Sequence, residues 1–408
     1  MSDSRSDTLS LPVDVAVIGG GISGLWLANR LHRAGYSCVL LEARELGEVQ
    51  TLHSQGIIHG GLKYALGGAL SSESEAIAGM PDRWRQLLAG EGEVDLRGVS
   101  VLSQTQHLWS AGSLASRFTT FFASRMLRGR IDKLAFADYP AALQDRRFRG
   151  AVYRLDDLVV DTDSLVSTLA APIQPHCLQV QVSADQLHWH EQGLAAITLP
   201  GVTLQPRRAI LAAGAGNAAL LDDARRAGLS PLPDTQLRPL QMVMVAHAQP
   251  LPLYAHCIGA SNKPRLTVTS HPLPDGRMVW YLGGDLAERG VGLSAEALLA
   301  DARQELATLF PWLDFSTAEW ATTAVERAEP RQGSLAKPDN AFAEAQQNLI
   351  VAWPTKLTLA PDLGDRVAAL LSAQGFVPQH PQPTLPDDLP RAHPGRAPWM
   401  TAFGDRHD

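Results

Sequence analysis

The chain carries a short apolar run from Val13 to Ile18 that stops at three consecutive glycines, Gly19, Gly20 and Gly21. A run of this length with turn residues behind it predicts a buried strand entering a tight turn. From Ile22 to Ala34 the spacing of Leu25, Ala28 and Leu31 fits one face of a helix, and Gly35 stands just past its end. Ser37 to Leu41 then predicts a second buried strand, closed by the acidic Glu42. The unit is β-α-β.

Further along, strands are predicted at Leu178–Ser183, Leu187–His190 and Arg208–Ala213, the last running into LAAGAGN. Between residues 237 and 286 the runs LRPLQMVMVAH, LYAHCIGA, RLTVTSHP and RMVWYLGG are separated by turn-rich pieces such as Pro274-Asp275-Gly276, which predicts an antiparallel sheet. Ser294 caps a predicted helix that runs to Leu309 and is stopped by Pro311. Leu349 to Trp353 is a predicted buried strand broken by Pro354, and the Pro-rich stretch from Pro378 to Pro398 is expected to be irregular and to wrap over the surface.

With 408 residues, 45% of them hydrophobic and 19% charged, the chain can bury a large core, and its length suits two domains better than one. A formal charge of -7 leaves no basic stripe for phosphate backbones, so no nucleic-acid partner is expected. The polar start MSDSRSDTLSLP and the lack of any long apolar run point to a cytoplasmic enzyme. Cys38, Cys177 and Cys257 are odd in number and far apart, which suits buried thiols rather than a disulfide framework or a metal pair, and no metal is expected.

Gly19, Gly21 and Gly24 form GxGxxG between the first strand and the helix, and Glu42 follows eighteen residues after Gly24. In this context the first glycine permits the turn, the second lets the backbone approach a pyrophosphate, and the third lets helix and strand pack closely. The helix start, with Ile22 and Ser23, would receive the pyrophosphate, while Glu42 and the adjoining Ala43 would meet the adenosine ribose. An acid at that position disfavours NADP, because a 2′-phosphate beside it would be repelled. A glycine-rich turn followed by an exposed Glu is the plainer alternative.

Four pieces of sequence go further: VAVIGGGISGLWLANRL with LLEA, SQGIIHGGLKY, VVDTDSLVSTLA with RAILAAGAGN, and ERAEP followed by NLIVAWPTKLTLAP. Together and in this order the chain resembles the D-amino-acid oxidase superfamily of FAD-dependent oxidoreductases, over most of its length. The resemblance implies FAD and an α/β fold: a Rossmann-like FAD-binding domain plus a second α+β substrate domain with a mainly antiparallel sheet. The two domains are expected to alternate, with 11–78, 151–230 and 321–408 in the first and 79–150 and 231–320 in the second. His53, Ser54, Gly60, Gly61, Val180, Ala213 and Gly214 are implied to touch the cofactor, as are Thr355, Lys356, Leu357 and Thr358. In the last group Thr355 is expected to cap a short helical turn whose amides favour negative charge on a reduced flavin, with Lys356 adding a full charge. Ala352-Trp353-Pro354 departs from the Gly-rich stretch that many members carry before this turn.

SQGIIHGGLKY is most similar to a run in the flavin-linked glycerol-3-phosphate dehydrogenases, with Lys63 in place of an Arg. Lysine keeps the positive charge and loses the bidentate fork. The similarity implies that His59 takes a hydroxyl proton while a hydride leaves the substrate carbon for flavin N5. A hydrogen-bonded core histidine is the plainer reading. Arg327 matches the family position that binds the anionic end of the substrate, with Arg331 as a nearby competitor. Tyr64, His256, His271 and Tyr281 are expected to line the cavity. The expected reaction is oxidation of a small anionic alcohol, glycerol 3-phosphate or a 2-hydroxy acid, with amine oxidation or non-catalytic FAD binding as alternatives. The electron acceptor, whether oxygen, a quinone or a carrier, stays open. Residues 114–131 mix aromatics with four arginines and suit a core-facing helix better than peripheral membrane contact.

Overall fold

The computed structural model describes residues 9–61, 77–111, 131–259, 263–331 and 340–404. The chain begins with β1 (Leu9–Ile18), α1 (Ile22–Arg33), β2 (Cys38–Glu42) and the two-residue β3 (Ile57–Ile58). A second stretch holds α2 (Met80–Leu88), β4 (Val101–Ser103), β5 (Gln106–Ala111), β6 (Ile131–Lys133) and β7 (Gly150–Leu155). Then come β8 (Leu158–Val160), α3 (Thr162–Ala170), β9 (Cys177–Gln179), β10 (Leu187–His190), β11 (Gly193–Leu199), β12 (Val202–Leu211) and α4 (Asn217–Arg226). The next part runs through β13 (Thr235–His247), β14 (Ala255–Ile258), β15 (Pro264–Pro272), β16 (Met278–Gly283), α5 (Asp285–Arg289), α6 (Ala295–Leu309) and β17 (Glu319–Pro330). Finally β18 (Phe342–Gln346), β19 (Leu349–Trp353) and α7 (Ala360–Ala373) lead into a long irregular tail and the short α8 (Pro398–Phe403).

Two eight-stranded sheets dominate. In the first the order is β10-β11-β12-β1-β2-β9, with β19 parallel to the end of β12 and β18 antiparallel to β19. Its central strands are parallel and buried on both faces, which is why Val13–Ile18 and Ser37–Leu41 read as unbroken apolar runs. Helices α1, α3 and α7 cover one face, and α4 with part of the tail covers the other. β1 starts at Leu9, four residues before the apolar run, because Leu9 to Pro12 pair with β12 by backbone bonds while their side chains are only partly covered.

The second sheet has the order β17-β13-β16-β15-β14-β5-β7-β6 and is antiparallel except where β14 runs parallel to β5. On one face Leu298, Ala302, Leu306 and Leu309 of α6 pack against Val243, Val245, Trp280 and Leu282. The opposite face meets the segment that follows β2. A small sheet, β3-β8-β4, lies between the two large ones in the chain order.

The antiparallel runs predicted between 237 and 286 are β13 to β16, and Ser294 accepts the Ala297 N–H as the cap of α6. Other expectations shift. The strand predicted over Leu178–Ser183 is the shorter β9, which ends at Gln179, and β11 lies between two predicted strands. The dividing lines at 150/151 and 320/321 fall inside β7 and β17, both of which belong whole to the second sheet. The stretch from Pro378 to Pro398 is irregular apart from two isolated bridges, Leu46 with Pro394 and Leu178 with Arg391. All three cysteines are buried and free, and burial pushes the Cys177 and Cys257 thiols up to about 12. Among the described residues no helix is long and apolar enough to cross a membrane.

Candidate active site

β1 delivers the chain to Gly19, whose φ is +112° and where an added Cβ would stand 2.5 Å from the Ala212 carbonyl oxygen. At Gly24 the added atom would be 1.8 Å from the Gly19 carbonyl oxygen, so turn and helix close on each other only with glycine at both places. Gly21 differs. Its nearest neighbour would be Thr51 Oγ1 at 3.4 Å, and the space before it is otherwise open.

The Ile22 N–H donates to Thr51 Oγ1 (2.8 Å) and the Leu25 N–H to the Gly21 carbonyl (2.9 Å). The amides of Ser23 and Gly24 are the remaining donors of the first turn. Ser23 Oγ is buried and has no hydrogen-bond partner among the described residues. These donors and this buried hydroxyl suit a pyrophosphate. At the end of β2 the Glu42 carboxylate accepts the N–H of Gly20 (2.5 Å) and of Arg44 (3.0 Å), while its carbonyl accepts the Val180 N–H (2.7 Å). Ala43 sits between Glu42 and Arg44, so Ala43 and Val180 flank the acid. At the end of β12 Asn217 Oδ1 accepts the Ala213 N–H (2.8 Å), and Gly214 adopts φ +57° with nothing within 4 Å of an added Cβ.

The segment from His53 to Gly61 bridges the two sheets. Gln55 Nε2 donates to the Tyr281 carbonyl (3.0 Å) and the Thr267 carbonyl (3.4 Å), and the Tyr281 hydroxyl donates to the His53 carbonyl (2.9 Å). Farther on, the Gly60 N–H donates to Asp157 Oδ1 (2.8 Å), and Thr358 Oγ1 donates to the carbonyl of His59 (3.3 Å), a residue only 6% exposed. Gly61 takes φ +78°. His53 is held below its usual pKa chiefly by burial, and Ser54 Oγ is buried without a partner among the described residues.

The expected cap at Thr355 needs correction. Thr355 adopts φ +59°, a left-handed conformation that a β-branched residue rarely takes, and its hydroxyl donates to the Asn340 carbonyl (3.0 Å). Lys356 holds the cap position of the 3₁₀ turn Leu357–Leu359, and no side chain caps it. The start of this turn still presents the Leu357 and Thr358 amides. Trp353 Nε1 reaches the Gly214 carbonyl (3.4 Å), which joins the end of β19 to the glycine turn after β12.

On the second sheet Arg327 stands directly across from Arg238, and its Nε donates to the Arg238 carbonyl (3.3 Å). Arg238 in turn pairs with the buried Glu329, and β17 lies against the Gly214–Gly216 turn. His256 Nδ1 is 2.8 Å from Thr267 Oγ1. His271 and Tyr281 are fully buried beneath Trp399, whose ring stacks on His271 at 3.7 Å, and burial lowers the His271 pKa to about 3. Lys63, Tyr64 and all of 114–131 except Ile131 lie outside the described residues. Thr51, Gln55 and Asp157 hold the site together, yet no motif points to Thr51 or distinguishes Asp157 from the acids around it.

A parallel sheet with a glycine turn and a terminal acid, joined to an antiparallel sheet by a hydrogen-bonded bridge, defines a two-sheet flavoprotein of the amino-acid oxidase type. The family of FAD-dependent oxidoreductases known as DAO matches residues 14–370. The FAD-dependent oxidoreductase PA4991 of Pseudomonas aeruginosa is 49% identical over 97% of this chain and 99% of its own. Its crystal structure superposes with a TM-score of 0.82 at 44% identity, covering 97% and 99% of the two chains. Glycine oxidase from Geobacillus kaustophilus shares the fold, with a TM-score of 0.62 at 18% identity and coverage of 91% and 99%. The alpha-glycerophosphate oxidase of Enterococcus casseliflavus is 38% identical over 62 residues, 15% of this chain and 10% of that one. The chain belongs to the DAO family of FAD-dependent oxidoreductases, and its cofactor is FAD.

Proposed function

We propose that this enzyme oxidises a small anionic alcohol of the glycerol 3-phosphate or 2-hydroxy acid type. The observation that carries the anion is the place of Arg327, on the strand that lies against the Gly214–Gly216 turn, with its Nε held by the Arg238 carbonyl. A carboxylate or phosphate suits its planar fork. Lys63 is assigned as an additional cation from its position in the HGGLKY run.

The Ser23 and Gly24 amides would hold the pyrophosphate, Glu42 the adenosine ribose, and the Leu357 and Thr358 amides the flavin edge that gains charge on reduction. FAD, when bound, supplies the two-electron acceptor. His59 is assigned the proton of the reacting hydroxyl, with its backbone fixed on both sides by Thr358 and Asp157.

Anaerobic reduction of the bound flavin by glycerol 3-phosphate, by 2-hydroxy acids and by amino acids tests this reading. Alcohols should reduce the wild type, and His59→Ala should slow that reduction by roughly 10²–10⁴-fold. Full alcohol turnover in His59→Ala overturns the role of His59. Reduction by amino acids alone, equally fast in both proteins, establishes amine oxidation instead.

A further inference from the structure

On β5, three side chains leave buried polar atoms without hydrogen bonds among the described residues: Gln106 and Ser110 on one face and the Trp109 Nε1 on the other. Gln106 is 0% exposed and leaves both Oε1 and Nε2 unmatched, and Ser110, at 1%, leaves Oγ unmatched. Four residues apart on one strand, they share a face and flank Leu108. The alternate residue Trp109 packs into the opposite core against Phe148 and Phe310, so Gln106 and Ser110 face away from it.

The ladder locates that face. Leu108 is opposite His256 and Ser110 is opposite Ile258, and His256 is opposite Thr267 on β15. Gln55 is fixed above β15 and β16 by the Thr267 and Tyr281 carbonyls. Gly60 is fixed to Asp157, two residues beyond the end of β7. The strands between β15 and β7 are β14 and β5, so the segment from Gln55 to Gly60 passes over them. Gln106, Ser110 and His256 therefore form a polar floor under the stretch that carries His59.

Among the described residues no hydrogen bond from their neighbours reaches either side chain. Gln106 pairs with Leu155 and Ser110 with Ala151 on β7, while Leu108, Tyr153 and Ile258 fill the rest of this face. About nine in ten buried polar groups are bonded in folded proteins, and leaving an amide unmatched is costly. Both ends of the Gln106 amide are unmatched on this face, which points to a partner that arrives with the substrate.

We propose that Gln106 binds a second, non-reacting hydroxyl of the substrate. The amide can donate and accept at once, and so can a hydroxyl, so each satisfies the other. This deepens the reading of the site as one for a small anionic alcohol and rests on it. The substrate class is then a small hydroxy acid or polyol phosphate with a further hydroxyl beyond the oxidised carbon.

Glycerate and lactate differ by that hydroxyl alone, as do serine and alanine. Apparent dissociation constants come from saturation of anaerobic flavin reduction, or from the flavin absorption change where the ligand does not reduce it. The FAD-bound wild type should prefer glycerate over lactate by about tenfold or more, because a site built around a hydroxyl rejects the analogue lacking it. In Gln106→Leu the ratio should fall toward one, whereas Ser110→Ala, about 13 Å further along the strand, should keep it. Melting temperature and FAD content of each variant are measured alongside. A glycerate-to-lactate ratio that stays at its wild-type value in Gln106→Leu makes that residue structural and overturns the proposal. A serine preference lost in Gln106→Leu, with no binding of glycerate or lactate, supports the hydroxyl site and overturns the alcohol reading beneath it. Failure of all four ligands to bind overturns both.

Discussion

Trp399 lies flat against His271, with ring centroids 3.7 Å apart and planes 21° from parallel. The contact ends a tail that begins beyond residue 370, where the family match stops. Asp14, fully buried in β1, accepts the N–H of Gln379 (3.1 Å) and of His380 (3.4 Å), and pairs with Arg207. The tail then exchanges backbone bonds with Leu46 through His393 and Gly395, and Ala397 N–H reaches Asp163 (2.9 Å). It thus ties the outer edge of the first sheet to the second.

Truncating this last contact should be expensive. Trp399 is 2% exposed and packs with Phe403, Met242, Met244 and Tyr281. Trp399→Ala is expected to cost about 3–5 kcal/mol, as for other buried aromatic truncations. Denaturant unfolding measures it. A cost within about 0.5 kcal/mol, the size typical of a surface substitution, would show that the tail end is not part of the core.

Asp163 gives the strap a pH dependence. Burial, and after it the charge of Asp161, raises its pKa from 3.8 to about 6, against the opposing Ala397 N–H and Arg396. The folded state therefore holds the proton more tightly than the unfolded chain. The stabilisation is complete below about pH 4 and is lost as pH rises through about 6. Asp163→Asn keeps an acceptor for Ala397 and removes the titration. Between pH 4 and 6 the melting temperature of the wild type should fall relative to that of the variant, and parallel curves would refute the linkage.

Gly21 and Gly24 separate folding from cofactor binding. An added Cβ at Gly24 would sit 1.8 Å from backbone oxygen, whereas at Gly21 the closest atom would be 3.4 Å away. Gly24→Ala should disrupt β1–α1 packing and lower the melting temperature of the FAD-free protein. Gly21→Ala should leave that temperature nearly unchanged while weakening FAD binding, because the methyl group enters the space before the helix start. Fluorescence titration with FAD distinguishes them, and equal FAD affinity in Gly21→Ala and wild type would place the pyrophosphate elsewhere.

The first β-α-β unit was legible because parallel strands buried on both faces write uninterrupted apolar runs, and GxGxxG marks the turn between them. The second sheet was legible only in its antiparallel middle. β5, β6 and β7 are short and pair across long stretches of sequence, and QHLWSA on β5 does not reveal that its Gln is buried. Alternation put His271 and Tyr281 on the sheet but could not show that the distant Trp399 covers them. Residue type suggested Thr355 as a cap, and its left-handed backbone sends the hydroxyl to Asn340 instead. At the site, the glycines and Glu42 were visible by spacing, whereas Thr51 and Asp157 act through contacts that no local pattern encodes.

Glu42 carries the last prediction. Its carboxylate accepts two backbone N–H groups, from Gly20 in the glycine turn and from Arg44 in the loop after β2, so it shapes the place where the adenosine would lie. Glu42→Gln keeps one oxygen acceptor but turns an NH₂ toward the other N–H, so one amide loses its partner and two donors face each other. Hydrogen bonds from the ribose hydroxyls to a charged acceptor contribute roughly 1.5–3 kcal/mol, so neutralising Glu42 is expected to weaken FAD binding by about ten- to hundredfold. The loss should appear in FAD titration of the apoprotein, with little change in its far-UV circular dichroism because β2 remains buried between β1 and β9. An affinity within about twofold of wild type would mean that the carboxylate holds the turn and takes no part in binding the cofactor.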